Sequence, residues 1–247
     1  MAQVIMVVPC FNEAIRLRTE EFCRFTLPNN PLRFLFVNDG SSDDTLEVLE
    51  RMQRQLPERI SILNLEQNGG KAEAVRRGFQ QAFTENPAMI GFWDADLATP
   101  LYEIVRFVEV MTQRPEIDMV FGSRVKLLGR NIERKVLRHY FGRVFATAVS
   151  LSLQVPIYDS QCGAKLFRNS ALIRRCFEQK FLSRWIFDVE LVARYRLEKR
   201  RLQEQPRGGI YELPLTEWHD VKGSKVKPSD GIKAFRELMT IRRTYID

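Results

Sequence analysis

Met89-Ile-Gly-Phe-Trp-Asp-Ala-Asp-Leu97 is a short apolar run that ends in two carboxylates separated by one alanine. The run predicts a buried strand, and residues i and i+2 of a strand lie on the same face. Asp94 and Asp96 are therefore predicted to bind one hard cation, Mg²⁺ or Mn²⁺, with positions left for phosphate oxygens. Such a site suits a nucleotide diphosphate attached to a sugar. Acidic turns after strands are also common, so the pattern alone is weak.

The rhythm of the chain around this stretch predicts an α/β fold. Short apolar runs alternate with longer amphipathic ones, which is typical of a mostly parallel sheet with helices on both faces. The predicted strands cover residues 4–8, 34–37, 60–63, 89–93 and 119–121, and the predicted helices cover 14–22, 44–56, 71–85 and 101–113. Ligands of such sheets lie beyond the carboxyl ends of the strands. The polar residues that follow strands one, two and four should therefore converge at one edge.

The second half of the chain has a different pattern, beginning near residue 125. A helix is predicted over 132–153, and a last helix over 229–243. The apolar face of the 132–153 helix would comprise Ile132, Val136, Leu137, Tyr140, Phe141, Val144, Phe145 and Ala148. Its polar face would comprise Arg130, Arg134, Lys135, Arg138 and Arg143. Two interpretations stay open. The 132–153 helix either packs on the sheet with a solvated basic face, or lies on an anionic membrane surface.

The composition indicates which kinds of binding partner and which cellular compartment to expect. The 247 residues suffice for one large domain, and the formal charge of +7 indicates anionic partners. Helix-turn-helix, RNP and zinc-finger patterns are lacking, so nucleic acid is not expected. Four cysteines without paired spacing favour reduced thiols in a cytoplasmic protein. A strand-like run begins at residue 4 and no apolar stretch reaches the ~20 residues that span a bilayer, so neither a signal peptide nor a membrane span is expected.

Three motifs in the first half carry both a structural and a functional interpretation. Asp39, in Asn38-Asp-Gly-Ser41, is either part of a turn or an acceptor for the imide N–H of uracil. Glu13 is either a charge favoured by a helix N-terminus or a ligand contact. Lys71, in Asn68-Gly-Gly-Lys71, begins a helix, where a cation is unfavourable unless an anion is near. Neither a Walker loop nor a dinucleotide fingerprint is present.

Later loops supply further charged residues. Arg124, Lys165 and Lys225 are the cations expected around several phosphates, although each could lie in an ordinary surface loop. Asp188 opens a helix, where acidic residues are common without catalysis.

Taken in order, these motifs resemble those of family 2 glycosyltransferases with the GT-A fold. The resemblance covers nearly the whole chain, and its later part is similar to the dolichyl- and polyprenyl-phosphate hexosyltransferase branch, especially to dolichyl-phosphate β-glucosyltransferases. The motifs are Val8-Pro-Cys-Phe-Asn-Glu13, Val37-Asn-Asp-Gly-Ser-Ser-Asp43, Asn68-Gly-Gly-Lys71, Asp94-Ala-Asp96, Gly122-Ser-Arg124, Asp159-Ser-Gln-Cys-Gly-Ala-Lys-Leu-Phe167, Trp185-Ile-Phe-Asp-Val-Glu190 and Gly223-Ser-Lys225.

The resemblance implies a single GT-A domain over 1–247, with a nucleotide-binding half (1–125) and an acceptor-binding half (126–247). It implies that Asp94 and Asp96 bind the metal and the diphosphate, with Asp96 and Asp188 as the catalytic residues. Ala98 stands where mannosyl relatives often carry Gln, which favours UDP-glucose as the donor. The implied substrate-binding residues are Pro9, Glu13 and Asp39 at the nucleoside, Arg124, Lys165 and Lys225 at phosphates, and Gly70, Lys71, Asp94, Gln161 and Ser224.

The expected reaction is a single-step inverting transfer of a hexose from a UDP-sugar to a polyprenyl or dolichyl phosphate. An ionised phosphate acceptor needs no general base, whereas a hydroxyl acceptor would need one, with Asp188 and Asp159 as candidates. The alternatives are a soluble family 2 enzyme with a hydroxyl acceptor, and a non-catalytic sugar-nucleotide module. A sugar-1-phosphate nucleotidyltransferase is disfavoured because the first loop, Pro9-Cys-Phe-Asn-Glu13, is not glycine-rich. The protein is expected to be cytoplasmic or peripheral on the cytoplasmic face of a membrane.

Overall fold

The computed structural model describes residues 2–133, 136–204, 208–220 and 229–247. Strands and helices alternate through the first half, as the sequence predicts. In chain order the elements are β1 (Val4–Cys10), α1 (Thr19–Arg24), β2 (Leu32–Asp39), α2 (Thr45–Gln55), β3 (Ile60–Leu65), α3 (Lys71–Thr84), β4 (Met89–Trp93), α4 (Glu103–Gln113), β5 (Met119–Ser123), β6 (Asn131–Glu133), α5 (Val136–Leu153), β7 (Ala164–Arg168), α6 (Ala171–Cys176), α7 (Phe187–Arg201), β8 (Ile210–Pro214), β9 (Glu217–His219) and α8 (Ser229–Tyr245).

Seven strands form one central sheet in the order β3-β2-β1-β4-β7-β5-β8. Strands β1 to β4 pair in parallel, so their carboxyl ends lie at one edge. Strand β7 runs antiparallel between β4 and β5. The start of β7 therefore lies beside the end of β4, where Ala164 pairs with Trp93. This insertion brings the loop before β7 to the edge that carries Asp94.

Both faces of the sheet are buried, which explains why its strands are continuous apolar runs. Alternate residues of a strand enter opposite clusters, as Val8 and Val7 of β1 do. One cluster includes residues of α1, α2 and α4, such as Phe22, Leu49 and Phe107. The other includes residues of α3, α5, α6, α7 and α8.

Two predicted helices have different bounds in the structure. The prediction of a helix over 14–22 was wrong at its start, since α1 begins at Thr19. The preceding backbone is bonded elsewhere: the Glu13 N–H donates to Thr45 Oγ1 at 2.8 Å. The 132–153 helix begins at Val136. Ile132 instead lies in β6, where it pairs with Trp218 of β9.

The described part of α5 packs partly into the second cluster and contacts α7 and α8. Val149 and Leu153 are fully buried in the second cluster, and Phe145 contacts it, whereas Val144 is exposed. Arg134 and Lys135, assigned to its basic face, lie outside the described residues. Within the described ranges, the helices all lack the combination of length and apolar character that crossing a bilayer requires.

Candidate active site

Asp39, at the end of β2, holds the loop that precedes α3. Its carboxylate accepts hydrogen bonds from the backbone N–H groups of Gly69 and Gly70, each at 2.8 Å, and from Asn68 Nδ2 at 3.0 Å. The side chain is almost fully buried. Gly70 has a φ of 86°, a conformation that favours glycine, and it caps α3. Asp39 therefore fixes the start of the helix on which Lys71 is the first residue.

Asp94 and Asp96 lie in the turn that follows β4, so strand pleating, the predicted reason for a shared face, does not apply to them. Strand β4 ends at Trp93, and the Asp94 carbonyl accepts the Leu97 N–H at 3.3 Å as the chain turns. The two carboxylates are nevertheless neighbours. Burial raises the pKa of Asp96, and the charge of Asp94 raises it further. Bringing like charges together in a buried place is costly unless a cation is close.

The ammonium of Lys71 is that cation in this structure. Its Nζ lies 2.5 Å from Asp94 Oδ1, and the side chain is 38% exposed, so a ligand can reach it. Desolvation opposes the charge, but Asp94, Asp188 and then Asp96 together hold the pKa of Lys71 above its ordinary value. The ammonium at the start of α3 thus pairs with one carboxylate, Asp94, and is stabilised electrostatically by two more.

A second ammonium, that of Lys165, faces the same Phe92 ring as the ammonium of Lys71. Lys165 of β7 is fully buried, and its Nζ lies 2.6 Å from Asp188 Oδ1 and donates to the Cys162 carbonyl at 2.6 Å. Its charge also faces the rings of Phe92 and Phe121, at 5.1 and 4.8 Å from their centroids. Lys165 therefore supports Asp188 from inside the protein.

Arg124 forms a two-pronged ion pair with Asp159. The guanidinium Nε and Nη2 each lie 2.7 Å from a carboxylate oxygen, and the Arg124 backbone N–H adds a third bond at 3.0 Å. Burial opposes the charge, but Asp159 holds the pKa of Arg124 above its ordinary value, with a smaller contribution from Asp94. The guanidinium also lies over the Trp218 ring, 5.3 Å from its centroid.

The structure places the other predicted residues around this charged centre. Pro9 is half-buried in β1, beside Val37 of β2. Glu13 follows the same strand and accepts from Arg16 Nη2 at 2.5 Å. The Gln161 Nε2 atom is buried and has no acceptor among the described residues, so a polar donor is left over near the site.

Ser224 and Lys225 lie outside the described residues. The described chain that precedes them contacts the acidic turn: the His219 N–H donates to the carbonyl of Ala98 at 3.0 Å, and Ala98 is two residues after Asp96.

Two structural roles were not anticipated from the sequence. Gly163 faces the Asp94 carboxylate so closely that an added Cβ would lie 1.8 Å from Asp94 Oδ2. Arg184 packs its guanidinium against Gly70 and donates to Asn68 Oδ1 at 3.3 Å. Gly163 belongs to a recognised motif, but its contact depends on the antiparallel insertion of β7. Arg184 has no signal in the sequence except its position four residues before Asp188.

Comparison with known sequences identifies the family. The family model for glycosyl transferase family 2 matches residues 5–175. The chain belongs to this family. A dolichyl-phosphate β-glucosyltransferase of Dictyostelium discoideum is 30% identical over 255 residues, which cover 98% of this chain and 74% of the relative. The Saccharomyces cerevisiae dolichyl-phosphate β-glucosyltransferase is also 30% identical, with coverage of 98% and 74%. This family 2 glycosyltransferase therefore carries the motifs that the sequence resemblance indicated.

Solved structures give the fold. Glucosyl-3-phosphoglycerate synthase from Mycobacterium tuberculosis, crystallised with Mn²⁺, UDP-glucose and phosphoglyceric acid, matches with a TM-score of 0.68 and 14% identity. The match covers 98% of this chain and 80% of that one. A mannosyltransferase from Pyrobaculum calidifontis, in complex with GDP-mannose and Mn²⁺, matches with a TM-score of 0.62, 16% identity and coverage of 97% and 63%. The glycosyltransferase described above has the GT-A fold.

Proposed function

We propose that this enzyme transfers a hexose, glucose in particular, from a UDP-sugar to a dolichyl or polyprenyl phosphate with inversion. The observation that carries the proposal is the ammonium of Lys71 among the carboxylates of Asp94, Asp96 and Asp188 at the carboxyl edge of the sheet. Sugar-nucleotide diphosphates need positive charge at this edge of a GT-A sheet. The branch rests on the relatives named dolichyl-phosphate β-glucosyltransferase.

The carboxylates fit a divalent cation. Asp94 and Asp96 are adjacent hard oxygen donors that already attract a cation, Lys71. Among the described residues, no group of three or more acidic, cysteine or histidine side chains is placed to hold a metal ion, so the protein would supply only the two carboxylates. Two carboxylates leave the remaining positions to diphosphate oxygens, which is the arrangement that Mg²⁺ and Mn²⁺ adopt with nucleotides. When bound, the ion would offset charge on the departing diphosphate.

Different residues of the protein would bind the sugar-nucleotide donor and the acceptor substrate. Pro9, Glu13 and Asp39 would bind the nucleoside, while Lys71, released from Asp94, would bind the diphosphate. Residues 1–125 thus form the nucleotide half of the domain, and residues 126–247 the acceptor half. Gln161, with its unused buried N–H donor, would hydrogen-bond the sugar or a phosphate oxygen.

Arg124 and Lys165 would act on phosphates mainly through their charge, since each already binds a carboxylate. Ser224 and Lys225 would complete the phosphate contacts from the segment that follows β9.

A phosphate acceptor agrees with the ion pairs better than a hydroxyl acceptor does. A hydroxyl must lose a proton to a base, whereas a phosphate monoester is ionised near neutral pH. The candidate bases are both engaged: Asp188 with the buried Lys165, and Asp159 with Arg124. A lipid acceptor would bring the enzyme to a membrane surface, and location on its cytoplasmic face stays a prediction.

The direct test incubates the protein with radiolabelled UDP-glucose, UDP-galactose or GDP-mannose, dolichyl phosphate in detergent, and Mn²⁺ or Mg²⁺. We expect labelled glucose in the organic phase, dependent on metal. Asp96→Asn should abolish both this transfer and metal-dependent binding of UDP-glucose, without changing the circular dichroism spectrum. Transfer only to a hydroxyl acceptor, or full activity of the Asp96→Asn variant, would overturn the proposal.

A further inference from the structure

A short loop before α7 displays two apolar side chains and one cation. Leu182 and Trp185 are 53% and 43% exposed, and Arg184 is exposed between them. Single exposed apolar residues are ordinary on a protein surface, but two of them flanking a guanidinium beside a catalytic centre form a composite surface. Leu182, Arg184 and Trp185 are called the rim triad below.

The backbone under the rim triad is held firmly. The Glu190 carboxylate accepts the N–H groups of Leu182 and Ser183, at 2.8 and 3.2 Å. Ser183 Oγ accepts the N–H groups of Trp185 and Ile186, at 3.1 and 2.7 Å, and donates to Glu237 of α8 at 2.5 Å. Ser183 and Glu190 are buried, so these bonds are shielded from water. The exposed triad is therefore presented by a rigid support, and little conformational entropy is lost when a ligand binds to it.

The rim triad lies next to the reacting groups. The Arg184 guanidinium packs on Gly70, whose neighbour Lys71 pairs with Asp94. Four residues after Arg184, Asp188 acts electrostatically on the same Lys71. Arg184 donates one hydrogen bond, to Asn68, and carries no ion pair among the described residues. A guanidinium has five N–H donors, so this one retains donors for a phosphate.

We propose that the rim triad is a subsite for the lipid acceptor, an inference that rests on the proposed function. Arg184 binds the acceptor phosphate, and Leu182 and Trp185 contact the first units of the prenyl chain. A ligand that is anionic at one end and apolar immediately beyond matches the triad in both respects. A sugar phosphate or inorganic phosphate would use Arg184 but leave the two apolar side chains in water.

Fluorescence gives a readout that is independent of turnover. The chain has three tryptophans, and Trp93 and Trp218 are buried while Trp185 is the exposed one. Farnesyl phosphate, a water-soluble prenyl phosphate, should shift the emission of Trp185 to shorter wavelength in the presence of UDP and Mn²⁺. Trp185→Phe should remove this response. Farnesol and inorganic phosphate should each bind at least about tenfold more weakly, because each lacks one of the two interactions.

Single substitutions can show whether the rim triad binds the prenyl phosphate itself or only affects donor binding. Arg184→Gln should weaken farnesyl phosphate about tenfold, the usual effect of losing a charge-assisted hydrogen bond. Leu182→Ser should weaken farnesyl phosphate but leave inorganic phosphate unchanged. Arg24→Gln and Leu202→Ser, at exposed positions on α1 and after α7, are matched controls and should change neither.

The outcomes distinguish this inference from the proposed function. Binding of UDP with Mn²⁺ but no response of Trp185 to farnesyl phosphate would overturn the subsite and leave the donor assignment standing. The subsite would also be wrong if Arg184→Gln weakened UDP and left farnesyl phosphate unchanged. Absence of any UDP binding would contradict the proposed function, while the prenyl phosphate titration would still decide on the rim triad.

Discussion

Individual charged residues at this site stabilise one another in pairs. Lys165 is fully buried, a state that a lysine tolerates only with a partner, and Asp188 provides it. Asp94 likewise pairs with Lys71, and Asp159 with Arg124. Lys71, Arg124 and Lys165 thus each have a carboxylate partner. The charges of the site are therefore paired before any ligand binds.

Breaking the buried pair should be costly to stability. Lys165→Met should lower the free energy of unfolding by about 3–5 kcal/mol, because Asp188 would keep a buried charge without a partner. Lys165→Met combined with Asp188→Asn should recover part of that loss, since no lone charge remains. Urea unfolding followed by circular dichroism measures both. Lys126→Met, at an exposed position, is the control and should have little effect. A loss under about 1 kcal/mol for Lys165→Met would show that the pair does not stabilise the fold.

The elements of the first half were largely predictable because each is a local pattern. The five apolar runs became β1 to β5, and Lys71 begins α3 as expected. Two features could not be predicted from the local sequence pattern. The place of β7 between β4 and β5 depends on pairing across the sheet, and the apolar Ile132 fits a helix pattern as well as a strand. The site residues were recognisable as motifs, but their ion pairs depend on tertiary contacts.

The antiparallel entry of β7 places one glycine against Asp94, a residue of the proposed metal site. An added Cβ at Gly163 would lie 1.8 Å from Asp94 Oδ2, so Gly163→Ala must displace that carboxylate. We expect the variant to lose metal-dependent UDP binding, measured by isothermal titration calorimetry. Gly231→Ala is the control, because nothing lies within 4 Å of its added Cβ and alanine favours a helix by about 1 kcal/mol. Normal metal-dependent binding by Gly163→Ala would contradict the contact.

The β6–β9 pair contains a histidine whose charge should support it. A hydrogen bond with Glu217, aided by Glu133, raises the pKa of His219 despite partial desolvation. Hydrogen bonds with Tyr102 and then with His219 lower the pKa of Glu217. Stability from His219 is therefore fully present below its unfolded pKa of about 6.5 and is lost as the pH rises through its raised folded value. The stability that Glu217 contributes is lost as the pH falls through its lowered folded-state pKa. Because His219 is 39% exposed, the effect should stay below about 1 kcal/mol.

Nuclear magnetic resonance can measure this effect directly, since the chain has only two histidines, His139 and His219. The ring signal of His219 should titrate above pH 6.5 in the unmodified protein, and lower in Glu217→Gln. Replacing His139 by Gln assigns the two signals. An unchanged titration in Glu217→Gln would show that the contact does not hold the proton.

At the scale of the whole molecule, the sheet joins the two halves of the site. Strand β2 carries Asp39 and β4 leads into the acidic turn, while β7 and α7 carry Lys165 and Asp188. The halves meet where β4 pairs with β7, and Lys71 interacts with carboxylates from both sides. Ligands that bind one half should therefore change the affinity of the other.

The ion pair of Lys71 with Asp94 predicts that Mn²⁺ and UDP bind cooperatively. Mn²⁺ alone must compete with Lys71 for Asp94, and UDP alone brings negative charge toward Asp94, Asp96 and Asp188. With both ligands bound, Asp94 and Asp96 would hold the metal, and Lys71 would pair with the diphosphate instead of Asp94. The coupling free energy should be about 1–3 kcal/mol, so the two ligands should raise the melting temperature by several degrees more than the sum of their separate effects. Lys71→Met should bind Mn²⁺ alone more tightly and lose the coupling. Equal stabilisation by UDP with Mn²⁺ and with EDTA would show that the carboxylates do not hold a metal for the nucleotide.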